Sequence, residues 1–256
     1  MQSDNVKHFC FDSPVVKQDE LAPRVFRLTL CAPKIAQTAK PGEFVMLRAA
    51  QNSPVTLRRP LGIAAVHASS GDIDLIYRVM GKGTEYLSRL KPGDGVNVLG
   101  SLGSGFSLEA ERPLLIGGGM GLSPLLFYAQ ASGRAEILMG GKNAGEMFWS
   151  KLFEPFAKKI YVTTDDGSVG HKGFTVSLLP DLLENKYDLA VVCGPEVMMQ
   201  TAAKILREAK VPCQISLERR MACGLGACLS CSIDTKSGRR KVCKDGPVFW
   251  AEEVYF

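Results

Sequence analysis

Four cysteines near the carboxyl end constrain this chain more than any other feature. Cys223, Cys228, Cys231 and Cys243 stand at the spacing C-x4-C-x2-C-x11-C. Three of them fall on one short stretch rich in small residues, Ala222-Cys223-Gly224-Leu225-Gly226-Ala227-Cys228, and the fourth returns later. That is a spacing at which four thiolates enclose a [2Fe–2S] cluster. Each tetrahedral iron takes two bridging sulfides and two protein sulfurs, so four thiolates complete the centre. Gly224 and Gly226 let the backbone bend closely and turn amide N–H groups toward negatively charged sulfurs. The competing readings are a zinc site and spare buried cysteines, and scattered core cysteines would not stand three within nine residues among small residues. Zinc sites favour two C-x2-C-like pairs, and only Cys228 and Cys231 form one here.

The chain has 256 residues, room for two ordinary domains and a small module. Its net charge of +5 is mild, and no Lys/Arg run interleaved with aromatics points to nucleic acid. No apolar run has the length of a membrane span, and Met1-Gln2-Ser3-Asp4 opens no signal peptide. Cys10, Cys31, Cys193 and Cys213 are scattered through apolar contexts, as reduced thiols are, so the expected compartment is the cytoplasm.

Residues 1–108 read as an antiparallel β-barrel, with short strands between Gly and Pro turns. Val25–Leu30, Phe44–Leu47, Ile73–Val79 and Val96–Leu99 are its clearest strands, and one helix is expected over Gly83–Leu90. Two stretches carry chemistry. Arg58-Arg59-Pro60-Leu61-Gly62-Ile63 sets two cations before a stiff turn. Tyr77-Arg78-Val79-Met80-Gly81-Lys82-Gly83-Thr84 leads a strand through a glycine turn into a helix. Amides at a helix start and nearby cations suit a pyrophosphate, so together the two suggest a flavin diphosphate site. Alone, each is as well read as a solvated arginine pair and a glycine hairpin.

Residues 109–212 change character to alternating strands and helices, a parallel α/β domain. Pro113–Ile116 is a buried strand, Gly117-Gly118-Gly119-Met120-Gly121 its turn, and Leu122–Ala129 a helix with Pro124 in its first turn. Strand, glycine turn and helix make the context of a dinucleotide site, but Leu122 stands where the ordinary fingerprint has its third glycine. No acidic residue closes the next strand, Glu136–Gly141. Lys142 after it could meet a 2′-phosphate, so the choice of NAD or NADP stays open. Further strands are expected at Lys159–Thr164 and Ala190–Cys193, the latter ending in Gly194-Pro195 before a helix over Glu196–Lys210. Open α/β sheets bind ligands at such carboxyl ends, although Cys193 also suits plain core packing. With only His8, His67 and His171, histidine-based catalysis has little material, and His171 reads as a surface residue.

Residues 213–256 carry the cysteine loop, then Ser232–Thr235, a turn at Lys236–Arg240 and a second strand at Lys241–Cys243. The aromatic tail Gly246-Pro247-Val248-Phe249-Trp250 to Tyr255-Phe256 could cover the cluster, stack near a flavin or fill the core.

This order of motifs resembles the ferredoxin–NADP reductase superfamily, and within it the electron-transfer subunits of type B dihydroorotate dehydrogenase. The likeness covers essentially the whole chain. Its most specific pieces are Glu218–Cys228 and Val242-Cys243-Lys244-Asp245-Gly246-Pro247-Val248-Phe249. The resemblance implies FAD contacts at Arg59, Pro60, Leu61, Gly62, Ile76, Tyr77, Arg78, Gly83 and Thr84. It implies nicotinamide dinucleotide contacts at Gly117, Gly118, Gly119, Gly121, Cys193, Gly194 and Pro195, with Cys193 near the nicotinamide. The cluster ligands would be Cys223, Cys228, Cys231 and Cys243. One departure is Gly62, where the family usually has serine; a lost hydroxyl there removes a hydrogen bond near the flavin ring.

The activity so implied is a relay in pyrimidine (UMP) biosynthesis. A partner subunit carrying FMN oxidises dihydroorotate, and electrons pass through the [2Fe–2S] centre and FAD to NAD+. Two of each subunit would form a heterotetramer. The alternatives are a subunit of another flavin and iron–sulfur NAD(P)H oxidoreductase, linked to ferredoxin, sulfide or hydrogenase, and a zinc-stabilised binding module without flavin.

Overall fold

The structure is a computed structural model that describes residues 9–48 and 55–256; Met1-Gln2-Ser3-Asp4 and His8 lie outside them. Strands β1 (Phe9–Ala22) and β2 (Val25–Cys31) are followed by the short helix α1 (Pro33–Ala36). Then come β3 (Phe44–Arg48), β4 (Arg59–His67), β5 (Asp72–Arg78), helix α2 (Lys82–Leu87) and β6 (Gly95–Leu102). The strands close into a barrel of order β1-β2-β5-β4-β3-β6, every pair antiparallel. Successive strand side chains point to opposite faces, and every second residue fills the interior: Leu28 and Leu30, Ile73 and Leu75, Val96 and Val98 are all fully buried. Burying one such side chain contributes about 1.5–3 kcal/mol.

Two expectations in the barrel change. Arg59-Pro60-Leu61-Gly62 is not a turn: it opens strand β4, where Pro60 pairs across from Met46 near the strand's start. Proline, lacking an N–H, is tolerated there. The helix expected to run to Leu90 stops at Leu87, and Arg89 and Leu90 close it with tighter turns onto Tyr86 and Leu87.

The second half alternates. Strand β7 (Pro113–Gly118) leads through a single turn into helix α3 (Leu122–Ser132), then β8 (Glu136–Gly141), α4 (Trp149–Phe153), β9 (Lys159–Thr164) and β10 (His171–Lys172). Helix α5 (Leu179–Leu182), β11 (Leu189–Cys193), α6 (Glu196–Glu208) and β12 (Cys213–Ser216) follow. The sheet runs β10-β9-β8-β7-β11-β12, parallel throughout. The chain winds outward from β7 in one direction, then returns to its other side at β11. The gap between the carboxyl ends of β7 and β11 is therefore the topological switch point, where such sheets bind ligands.

Helix α3 explains how barrel and sheet hold together. It is apolar nearly all round because it is sandwiched: Leu125, Leu126 and Tyr128 pack with the sheet, whereas Phe127 belongs to the barrel core. Gln130 clamps it further, its side chain accepting from Val66 N at 3.0 Å and donating to Val66 O at 2.8 Å.

The last segment adds β13 (Ser232–Thr235), β14 (Gly238–Lys241), helix α7 (Val242–Asp245) and β15 (Val248–Trp250). The second strand of the hairpin ends at Lys241, so Cys243 sits on a helical turn and not on the strand expected there. The Lys241 amide donates to Asp245 Oδ2 at 2.7 Å, and that carboxylate cap starts the turn. The tail neither shields the cysteines as a whole nor merely fills space. Strand β15 joins the large sheet antiparallel to β12, with Val248 and Phe249 buried, while Trp250, Tyr255 and Phe256 stay exposed. Among the described residues, no helix is long and apolar enough to cross a membrane.

Candidate functional site

The cysteine loop turns sharply. Gly224, Gly226 and even Leu229 take left-handed backbone conformations, with φ of 74°, 80° and 62°. A side chain at Gly226 would also crowd Lys244, 2.9 Å from its Cδ. These bends aim amides at sulfur: Leu225 N lies 3.4 Å from Cys223 Sγ, Gly226 N 3.2 Å from Cys243 Sγ, and Cys243 N 3.4 Å from Cys231 Sγ. The thiols form two pairs. Cys228 stands beside Cys223, and Cys243 beside Cys231. Ser230, through its hydroxyl and amide and then the neighbouring Cys223, brings the exposed Cys228 thiol down to about 6. Burial, then Cys231, pushes Cys243 up to about 12.

That donor set discriminates between the two metal readings. A zinc ion needs four ligands about one point, whereas here the thiols stand as two pairs. A binuclear centre needs two thiolates on each iron. Two pairs with three amides turned toward sulfur fit it.

A cleft of about 460 Å³ opens between the barrel and the sheet, a size suited to a cofactor. One wall is Pro60, Leu61, Gly62, Ile76, Tyr77, Arg78 and Thr84; the opposite wall carries Met120, Ser123 and Cys193, with Ser216 at the end of β12 and Glu218 just past it. Seven of the nine residues expected to touch FAD thus share one wall. Arg59 and Gly83 do not: they meet in a separate small recess with Leu57 and Leu87. There the Arg59 guanidinium donates to Leu57 O at 2.7 Å and Arg58 O at 3.2 Å and fills the space a side chain at Gly83 would need. Arg58 is spent on structure, held by Met46 O at 3.3 Å and by the backbone and side chain of Asn97.

The glycine turn before α2 is braced by Thr84, whose hydroxyl accepts from Met80 N at 2.9 Å and Gly81 N at 3.2 Å. Arg78 reaches across to the sheet, 3.1 Å from Glu146 Oε1. Glu146 Oε2 accepts from Lys142 N at 3.0 Å, just past the end of β8. Against the cost of burial, the Lys142 amide and the Arg78 guanidinium hold the Glu146 carboxyl below its usual range.

At the switch point the glycines serve close approach. A Cβ on Gly121 would strike Cys193 O and Gly194, and one on Gly117 would strike Leu122. Gly118 lies against Pro195 and Met198, whereas Gly119, with φ of 57°, has open space above it. None of these four lines the cleft; Met120 and Cys193 do. Cys193 is 2% exposed, and burial, then the Glu218 carboxylate, pushes its thiol up. Burial likewise raises the recessed Glu218 carboxyl, although the residue as a whole stays solvent-accessible.

Sequence reasoning missed Ser123, Glu146, Ser216 and Glu218. A signal existed for two of them, because the run Cys213-Gln214-Ile215-Ser216 reads as a strand whose end meets the switch point. Ser123 is 4% exposed, and its hydroxyl is a buried polar atom without a hydrogen-bond partner. An orphan of that kind on a cleft wall marks a place for a ligand's polar group. The cleft therefore fits a bound cofactor.

Known proteins resemble this chain in sequence and fold. Residues 4–106 match the oxidoreductase FAD-binding domain family, and residues 218–255 match the iron–sulfur cluster binding domain of dihydroorotate dehydrogenase B. The electron transfer subunit of dihydroorotate dehydrogenase B (NAD(+)) from Desulforamulus reducens is 37% identical over 95% of this chain and 97% of its own length. The subunit of the same name from Clostridium acetobutylicum is 38% identical over 84% of this chain and 86% of its own length. Among solved structures, an NADH-dependent reduced ferredoxin-NADP oxidoreductase studied for flavin-based electron bifurcation superposes with a TM-score of 0.86. It is 30% identical, covering 95% of this chain and 89% of that one. The ferredoxin reductase of carbazole 1,9a-dioxygenase, 22% identical with a TM-score of 0.68 over 80% of this chain and 67% of that one, shares the fold. The chain belongs to the family of electron transfer subunits of dihydroorotate dehydrogenase B (NAD(+)).

Proposed function

We infer that this chain is the electron-transfer subunit of a dihydroorotate dehydrogenase, joining a dihydroorotate-oxidising partner to NAD+ in pyrimidine biosynthesis. The observation that carries this is the coexistence, in one chain, of two thiol pairs wrapped by amides and a cofactor-sized cleft at the sheet's switch point. When bound, a [2Fe–2S] cluster supplies single-electron transfer and FAD exchanges single electrons for the hydride chemistry of NAD.

The residues divide that work. Cys223 with Cys228, and Cys231 with Cys243, would hold one iron each. The amides of Leu225, Gly226 and Cys243 would offset the negative charge that collects on their sulfurs. Pro60, Leu61, Gly62, Ile76 and Tyr77 form the apolar wall on which a flavin ring would lie. Arg78 and the turn braced by Thr84 would face its phosphates, and Arg59 and Gly83 would shape that turn from behind. Gly117, Gly118, Gly119 and Gly121 would let the dinucleotide approach the backbone, with Cys193, Gly194 and Pro195 beside the nicotinamide. Buried and protonated, Cys193 can pack against a ring or donate a weak hydrogen bond, but is no nucleophile.

The partner would carry FMN and dock over the cysteine loop, where exposed Leu225 and Leu229 flank the exposed Cys228 and can exclude water on contact. Two of each subunit would assemble, in the cytoplasm. The chain divides into units 1–108, 109–212 and 213–256, the last lending β12 and β15 to the sheet of the second.

Mixing the purified chain with the partner subunit should give dihydroorotate-dependent NAD+ reduction that neither subunit shows alone. Failure of the two to form a complex, or to reduce NAD+, would favour the second reading, exchange with a ferredoxin-type donor. The likeness to the solved ferredoxin-NADP oxidoreductase supports that reading.

A further inference from the structure

Three buried side-chain polar atoms have no hydrogen-bond partner among the described residues: Ser123 Oγ, Ser132 Oγ and Arg134 Nε. Only Ser123 lies on the cleft wall. Ser132 ends α3, and Arg134 satisfies its other guanidinium nitrogens on Leu108 O and Glu111. Ser123 occupies the first turn of α3, yet it caps no amide of that turn. A hydroxyl removed from water with nothing to bond costs the fold free energy that alanine would not.

The facing wall shows what it lacks. Gly62 presents bare backbone to the cleft, and the residue after Ser123, Pro124, stands 3.6 Å from where a Cβ on Gly62 would be. The first turn of α3 thus meets β4 at Gly62, at one edge of the cleft that Pro60 and Leu61 also line. On that wall no side-chain hydroxyl from β4 is available, because the three residues are proline, leucine and glycine. Tyr77, which also lines the cleft, spends its hydroxyl elsewhere, donating to Gln18 Oε1 at 3.3 Å.

We propose that Ser123 is a flavin-contacting residue: its hydroxyl, carried on the sheet side of the cleft, hydrogen-bonds the ring system lying against Pro60, Leu61 and Gly62. The inference rests on the reading of this cleft as the FAD site. Serine turns about one side-chain torsion with three staggered wells, so the hydroxyl can meet the ring without movement of α3. The contact would come from the same helix whose preceding turn receives the dinucleotide, which places one element against both redox partners.

The test is titration of flavin-depleted protein with FAD, with the midpoint potential of the bound flavin and the Kd for NADH measured alongside. Ser123→Ala should weaken FAD binding roughly five- to tenfold, the worth of one hydrogen bond, or shift the flavin potential, and leave NADH affinity near the parent value. Adding Gly62→Ser to Ser123→Ala should restore part of the loss, because a Cβ fits at position 62 at ordinary contact distance. Unchanged FAD affinity and potential in Ser123→Ala, with a raised Tm, would show a merely unsatisfied hydroxyl and overturn the proposal. A change confined to NADH affinity would overturn it in favour of the nicotinamide. Parent protein that takes up no FAD would overturn the cofactor reading itself, and this inference with it.

Discussion

Apart from Cys10 and Cys31 in the barrel strands, the cysteines fall into two populations with opposite settings. Cys193 and Cys213 lie within parallel strands, buried, and burial pushes both thiols up, Cys213 to about 12. Cys223, Cys228, Cys231 and Cys243 lie on a loop and a helical turn, paired, with amides turned onto three of the sulfurs. Amides meet sulfur where the backbone leaves the strand. A strand spends its amides on its neighbours, whereas left-handed turns at Gly224 and Gly226 free amides to face an anion. Among the glycines, Gly117 and Gly121 of the switch point serve close packing, whereas Gly224 and Gly226 of the cysteine loop are left-handed as well as crowded.

The largest effect should come from crossing the two populations. Cys243→Ser should abolish iron binding and the associated absorbance while FAD stays bound. Cys213→Ala should retain full iron content. Equal iron loss in both would break the comparison, and iron analysis of purified proteins decides it.

Next comes Gly121→Ala. Its methyl would run into Cys193 O and Gly194, so either β7 or β11 must shift. Overpacking of this kind costs about 1–3 kcal/mol, read as a lowered Tm. NADH affinity should fall too, with iron content unchanged.

Glu146→Gln tests the bridge between barrel and sheet. Its partner Arg78 is 37% exposed, which keeps the pair weak, and such pairs are worth about 0–1 kcal/mol. The loss should be small and should shrink further in high salt.

The smallest effect concerns Glu218 and depends on pH. Burial raises its carboxyl, so its contribution to stability is complete below the unfolded-state value and is lost as pH rises through the folded-state value. Glu218→Gln should therefore raise Tm modestly at neutral and alkaline pH, and the difference should vanish in acid. A gain that grows in acid instead would reverse the assignment.

Much of this was legible because spacing and periodicity are local. The run Glu136–Gly141 and the run Lys159–Thr164 are strands with the bounds their apolar patterns indicate. The four cysteines declare themselves by separation alone. What was not legible depended on contacts between distant segments. Arg59-Pro60 reads as a turn until Leu47 and Met46 of the neighbouring strand pair with it. Lys241–Cys243 reads as a strand until Asp245 caps a helical turn there. Strand β15 looks like an aromatic tail because only β12, more than thirty residues earlier, gives it a partner. Ser123 carried no signal, since an unsatisfied hydroxyl exists only once the fold has closed around it.

The most direct measurement is the visible and electron paramagnetic resonance spectrum of the anaerobically purified chain before and after NADH. The account predicts flavin bands with a broad iron–sulfur absorbance beneath them, both bleaching on NADH, and two irons per chain. A colourless protein holding one zinc and no flavin would contradict it.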